Sequence, residues 1–222
     1  IAPLFNRYEP IRDEGLKEAI IALMAKVGLK TEGVYQVDAG KRSRHTNAYF
    51  TGLGKTKRIV LFDTLIASHT KEEITAVLAH EIGHWKRRHI LKQLLFMEAT
   101  SLIILWFASH LIAWPLLYET FGFNQPIPFV GLLLSAALFG PLTLLIAPVV
   151  SATQRRFERE ADVFVSGLTG TTTPLVGALK RLARDNLANL HPHPLYARFY
   201  YSHPPLTERI ARLQELECKE VS

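Results

Sequence analysis

The sequence predicts a mainly α-helical fold that spans a membrane and carries a small β-sheet. Three observations lead there. Residues 94–117 and 127–150 are apolar runs long enough to cross a hydrocarbon core of ~30 Å. Their outer flanks read "KRRHILK" and "QRRFER", whereas the linker between them, "YETFGFNQP", has no lysine or arginine. The β-prone segments are confined to residues 33–66, with helical patterns on either side.

The elements follow in order. The chain opens "IAPLFNRYEP", without an initiator methionine or a signal pattern, and reads as the C-terminal part of a longer protein. Residues 12–28 place Leu16, Ile20, Leu23 and Val27 on one helical stripe, closed by Gly28. Next, "VYQV" alternates, "NAYFTGL" is β-prone, "GLGK" signals a turn and "RIVLFD" reads as a buried strand. Together they predict a small sheet with a hairpin. In "SHTKEEITAVLAHEIGHWKRRH", Thr70 can cap a helix with Glu73 at its third position.

The two apolar runs then form a transmembrane helical hairpin, the second interrupted by Gly140-Pro141. The basic flanks place both outer ends in the cytoplasm and the linker on the far side. A buried hairpin in a soluble core is the competing reading, and Glu98 and His110 lend it some weight. Two runs of this length favour the membrane. Beyond them, "LVGALKRLARDNLANL" reads as an amphipathic helix, followed by a proline- and histidine-rich loop. A closing helix begins at Pro204-Pro205. The organisation expected is therefore residues 1–93, the hairpin at 94–150, and residues 151–222. Arg155 and Arg156, next to a span, are expected by default to anchor at the lipid interface, with contact to the functional site as the alternative.

A net charge of +6 suits nucleic acid or an anionic membrane surface. The basic residues flank the spans and form no stripe interleaved with aromatics, so the bilayer is the expected partner and nucleic acid is not. The single cysteine, Cys218, excludes an intramolecular disulfide and a cysteine-based zinc site. It is the fifth residue from the end, one place off a terminal prenylation box.

The chemistry sits in "HEIGH", residues 80–84. Positions i and i+4 share a helix face, so His80 and His84 can reach one tetrahedral Zn²⁺. Glu81 is offset from them, placed to act as general base on a water rather than as a ligand. Gly83 allows another element to approach closely. A third ligand is required. In a three-histidine pattern it would fall six residues after His84, where this chain has Ile90; His89 is one place short and reads as a surface or interfacial residue. The alternative is a glutamate from a second helix, and "RRFEREADVF" offers Glu158 and Glu160. Glu158 has Asp162 one turn on, placed to accept a hydrogen bond from a ligating histidine and fix its tautomer. Glu160 points roughly 160° away and has no such partner. Glu158 is therefore the expected third ligand. Two antiparallel spans return the chain to the side it left, which brings the two ligand helices to one end of the hairpin. The result is a gluzincin-type zinc helix pair, with one Zn²⁺ per chain, linked by a transmembrane hairpin.

These residues resemble a known family, the integral-membrane zinc metalloproteases called CAAX prenyl protease 1. The resemblance runs through "RSRHTNAYFTGL", "KRIVLFDTL", "LAHEIGHWKRRH", "RRFEREADVF", "ALKRLARDNL" and "YYSHPPLTERI". It implies His80, His84 and Glu158 as zinc ligands, Glu81 as the catalytic general base and Asp162 as their outer partner. It also implies roles that spacing does not reach: Asn47 binding the substrate backbone beside a strand edge, and His203 over the site as a catalytic oxyanion donor. From the residues alone, Asn47 reads as a turn residue and His203 as a helix-entry loop residue. The expected substrates are peptides or proteins, prenylated CAAX-type or otherwise membrane-associated. The expected location is a membrane with the site towards the cytoplasm: a bacterial inner membrane, favoured by the compact "FDTLIASHTKEEITAVLAHE", or the endoplasmic reticulum in a eukaryote. Family members carry further spans upstream. The rival readings are an inactive membrane scaffold of the same fold and a soluble zinc protease with core helices. The scaffold is disfavoured because every chemically required residue is present.

Overall fold

Asp13 caps the first helix: its carboxylate accepts from the Leu16 amide at 3.0 Å. α1 (Glu14–Lys26) follows and buries Leu16, Ile20, Leu23 and Met24. Gly28 ends the stripe with φ of +73°, a region glycine enters without a Cβ penalty. The computed structural model describes residues 8–38, 47–52, 54, 56–185 and 189–220. Residues 42–46 of the "RSRHTNAYF" block, Leu53 and Lys55 of the turn, and residues 186–188 of the helix expected at 175–190 lie outside them.

Four strands form one mixed sheet in the order β1-β2-β4-β3. They are β1 (Tyr8–Pro10), β2 (Lys30–Val37), β3 (Ala48–Thr51) and β4 (Thr56–Phe62). β2 and β4 are parallel, with Tyr35 opposite Val60, and the outer pairings are antiparallel. Inner strand β4 buries Ile59, Val60 and Leu61 in succession, as a strand covered on both faces must. The expected hairpin is β3–β4. β1 was not anticipated from the sequence; it is three residues long and ends in a proline, which an edge strand tolerates.

α2 (Asp63–Ser68) leads into α3 (Lys71–Lys86), the helix of the "HEIGH" motif. The capping box is present: Thr70 Oγ1 accepts from the Glu73 amide at 3.2 Å, and Glu73 accepts from the Thr70 amide at 2.9 Å. Glu73 also accepts from Arg181 Nε at 3.0 Å, tying α3 to α8 (Thr173–Asp185). α10 (Leu206–Glu220) packs in turn on α8. α1, the sheet, α3, α8 and α10 share one core that includes Ile20, Leu61, Ile74, Leu78, Ile82 and Leu213. This core belongs to a first compact unit, made of Ile1–Arg87, Phe157–Pro192 and Pro204–Ser222.

The second unit comprises Arg88–Arg156 and His193–His203. It holds α4 (His89–Ile112), α5 (Pro115–Thr120), α6 (Pro128–Phe139), the start of α7 (Leu142–Thr169) and α9 (Pro194–Tyr200). α4 packs on α6. Among the described residues α4 is long and apolar enough to cross a membrane, and α6 with α7 makes a second such segment if the pair counts as one span, bent by 54°. The break falls at the expected Gly140-Pro141. The first segment is displaced from residues 94–117 to His89–Ile112, because the ring and missing N–H of Pro115 do not continue the helix. α4 leaves most of its large apolar side chains exposed, Leu95, Leu105 and Trp106 among them.

One further expectation changes. His89 is buried, only 2% exposed, rather than at the surface. Arg88 adopts φ of +55°, which breaks the helix after α3 and resets its phase, so extending the α3 wheel to His89 fails. Arg155 donates to the carbonyls of Ala197 and Tyr201 at 3.1 and 2.7 Å.

Candidate metal centre

α3 and the part of α7 that lies in the first unit build the centre. α3 contributes His80 and His84 from successive turns, and α7 contributes Glu158 and Asp162 in the same relation. The helices cross closely at Gly83. A Cβ placed there would lie 3.1 Å from Ala161 Cα and 3.2 Å from Phe164 Cβ. Gly83→Ala is therefore expected to push α7 outward by a few tenths of an ångström and destabilise the unit by about 1–3 kcal/mol. Thermal unfolding in detergent would measure this, and an unchanged midpoint would refute the close-crossing argument.

His80 Nε2 and His84 Nε2 face each other at 3.1 Å. The Glu158 carboxylate spans both, with Oε1 3.2 Å from His84 Nε2 and Oε2 3.4 Å from His80 Nε2. His80 and Glu158 are buried and His84 is half-buried. Among the described residues these three make the one group of ligand atoms close enough to hold a metal ion, all within 4.8 Å. The fit can be tested on these distances. Ligand atoms ~2.0–2.1 Å from a tetrahedral centre lie about 3.3 Å apart, close to the three separations here, and two imidazoles with one carboxylate form a donor set that suits zinc.

Asp162 sets the orientation. Its Oδ1 lies 2.9 Å from His80 Nδ1, so that nitrogen carries the hydrogen and Nε2 presents its lone pair to the cluster. Arg209 of α10 grips Asp162 with two hydrogen bonds, Nε to Oδ2 at 2.8 Å and Nη2 to Oδ1 at 2.7 Å. Its Nη1 lies 3.3 Å from Glu158 Oε2. Burial alone would push Asp162 up, but hydrogen bonds from His80 and Arg209 hold it below the usual carboxylate range. Burial pushes Arg209 down, and Asp162 and then Glu158 more than reverse it.

Burial likewise pushes His80 down, but its bonds to Asp162 and Glu158 win, against Arg209, and the net shift is upward. In the metal-free protein that interaction stabilises the fold below the unfolded histidine value of ~6.5 and is lost as pH rises through the raised folded value. A metal must displace the same proton, so its apparent affinity is expected to rise with pH, with protons released on uptake. Titration calorimetry in two buffers of different ionisation enthalpy would count those protons; affinity flat from mildly acid to mildly alkaline pH would contradict the assignment.

Of the other residues singled out in the sequence, Glu81 sits on α3 directly after His80, half-buried. Asn47 is exposed at the entry to edge strand β3; its backbone carbonyl accepts from Phe62 N and its side chain accepts from Ala48 N. His203 lies on an exposed bend of the second unit, between α9 and α10. The structure thus brings His80, His84, Glu158 and Asp162 together. Sequence reasoning missed Arg209. The signal was present: Leu206, Arg209, Ile210 and Leu213 follow the i, i+3, i+4, i+7 stripe that packs on the core, so Arg209 occupies an inward position.

The profile of peptidase family M48 matches residues 10–217. The chain belongs to peptidase family M48. Within its relatives, the Saccharomyces cerevisiae protein named CAAX prenyl protease 1 is 38% identical over 236 residues, covering 99% of this chain and 52% of that protein. The human CAAX prenyl protease 1 homolog is 32% identical over 256 residues, covering 98% and 54%. The crystal structure of S. mikatae Ste24p superposes with a TM-score of 0.85 at 37% identity, covering 95% of this chain and 52% of that one. The fold is therefore Ste24p-like, mainly helical with a small mixed sheet. The chain spans about half the length of these relatives.

Proposed function

We propose that this chain carries the catalytic part of a zinc-dependent membrane endopeptidase. The observation that carries the reading is the convergence of His80, His84 and Glu158, two imidazoles and one carboxylate with tetrahedral spacing. Family membership supports it, as do relatives named for CAAX prenyl proteolysis.

His80, His84 and Glu158 would hold the ion, one per chain. Bound there, zinc supplies Lewis acidity that polarises a peptide carbonyl and acidifies a water molecule. Glu81, offset from the ligands, takes a proton from the attacking water on its carboxylate and passes it to the leaving amine. Asp162 holds His80 in the tautomer whose Nε2 lone pair faces the ion, and Arg209 fixes Asp162 and Glu158 in place. Among the described residues β3 is an edge strand, paired with β4 alone, and its outer side would take an extended peptide, with Asn47 at its start to bind the peptide backbone. His203 is assigned to stabilise the developing oxyanion.

The substrates are peptides or proteins at a membrane, prenylated CAAX-type chains among them. The enclosing membrane is the one α4 crosses, with the site towards the cytoplasm by the flanking basic residues. The test is cleavage of a prenylated and an unprenylated peptide by the detergent-purified protein, before and after chelation. Activity abolished by the chelator and restored by zinc is the expected result. Cleavage indifferent to chelation would refute the zinc mechanism, and zinc-loaded protein that cleaves neither peptide would favour the inactive scaffold.

A further inference from the structure

α9 is a seven-residue helix whose outward surface is unusually apolar. Leu195, Tyr196 and Tyr200 are 61%, 56% and 58% exposed, and the Tyr196 and Tyr200 rings lie 4.9 Å apart, one turn from each other. Its inward side, at Ala197, is buried. A helix this short leaves most of its carbonyls without partners of its own. α7 supplies them: the Ser151 hydroxyl donates to Phe199 O at 2.8 Å, and Arg155 donates to Ala197 O and Tyr201 O. Its cationic group also offsets the negative C-terminal end of α9.

The position of those two donors is informative. The second apolar run ends at Val150, Ser151 is the next residue, and Arg155 begins the basic cluster one turn later. Earlier on the same helix, Leu145 and Val149 are exposed apolar residues. α9 is thus fastened to α7 where that helix passes from apolar to basic. Tyrosine, with an apolar ring and a polar hydroxyl, concentrates at that boundary of a bilayer.

We propose that α9 is an interfacial helix, with Leu195, Tyr196 and Tyr200 seated between the lipid headgroups and the acyl chains. The occupant of this face is lipid, because α9 is held at the level where α7 passes from apolar to basic and presents there an exposed leucine and a tyrosine pair, side chains suited to that boundary. The proposal rests on the membrane reading above. It makes Arg155 and Ser151 the groups that hold α9, and the segment leading three residues on to His203, at the depth of the interface.

The experiment places an environment-sensitive fluorophore on Tyr196→Cys in a Cys218→Ser background and reconstitutes the protein in phosphatidylcholine nanodiscs. Tyr200→Cys serves as a second reporter on the same face, and Leu105→Cys on α4 as the reporter for the span. The lipids carry a spin label either near the headgroup or near the acyl terminus. Both α9 reporters are expected to be quenched by the shallow label at least about twofold more than by the deep one, matching burial of ~5–10 Å, while Leu105 shows the reverse. Quenching at Leu105 with none at either α9 position would overturn the interfacial helix and leave the membrane reading intact. No quenching at Leu105 by either label would overturn the membrane reading, and this proposal with it.

Discussion

Glu158→Gln is expected to empty the metal centre while leaving the fold in place. The amide is nearly isosteric with the carboxylate, so the space between His80 and His84 stays filled. It has no negative charge to set against a divalent cation, and rotation presents an NH₂ group where an oxygen stood. Loss of an outer partner already costs about 10–100-fold in metal affinity, and loss of a direct ligand is expected to cost more. Arg209 keeps its two bonds to Asp162, so the guanidinium is not left buried alone. Elemental mass spectrometry on detergent-purified protein decides the matter. About one zinc per wild-type chain, largely lost in the variant at unchanged circular dichroism, is the expected pair of results. Full retention would mean that Glu158 is not a ligand and that the carboxylate comes from elsewhere.

The proximity of that cluster was legible in the sequence, because each step of the inference is local or topological. Two histidines four apart share a face whatever the tertiary structure, and Glu158 with Asp162 repeats that geometry on a second helix. The expected pair of spans between them would return the chain to its starting side. The Thr70–Glu73 box and the Leu16–Ile20–Leu23 stripe were legible for the same reason: their signals lie within a single helix. What escaped depends on contacts far apart in sequence. The Glu73–Arg181 pair joins residues 108 apart, and nothing near Arg181 marks it as inward-facing. Arg209 looked like one charge among several in "LTERIAR" until its place on the apolar stripe was weighed. His89 was misread through one backbone angle, since the left-handed Arg88 ends the helical register from which its direction was extrapolated. The bonds of Arg155 were hidden by distance along the chain: the carbonyls of α9 that it reaches lie more than 40 residues away.

Glu81→Gln is expected to separate binding from chemistry. The side chain leaves α3 about 100° round from His80, so it shares the neighbourhood of the ligands without pointing at their common centre. It is close enough for its charge to raise the pKa of Arg209, which itself touches Asp162, Glu158 and His80. A carboxylate so placed can accept a proton from water, whereas a neutral amide of the same shape cannot. General acid–base groups contribute roughly 10²–10⁴-fold, so kcat should fall by that factor. KM for the peptide should change little, because the group acts in the transition state and not in ground-state binding. Zinc content should stay at the wild-type level, in contrast to Glu158→Gln. That contrast makes the pair informative. Loss of metal in both variants would place Glu81 among the ligands and leave the general base unassigned. Retained metal with wild-type turnover would remove Glu81 from the mechanism. Retained metal with turnover lost places it at the proton-transfer step, one helical residue from the ion it serves.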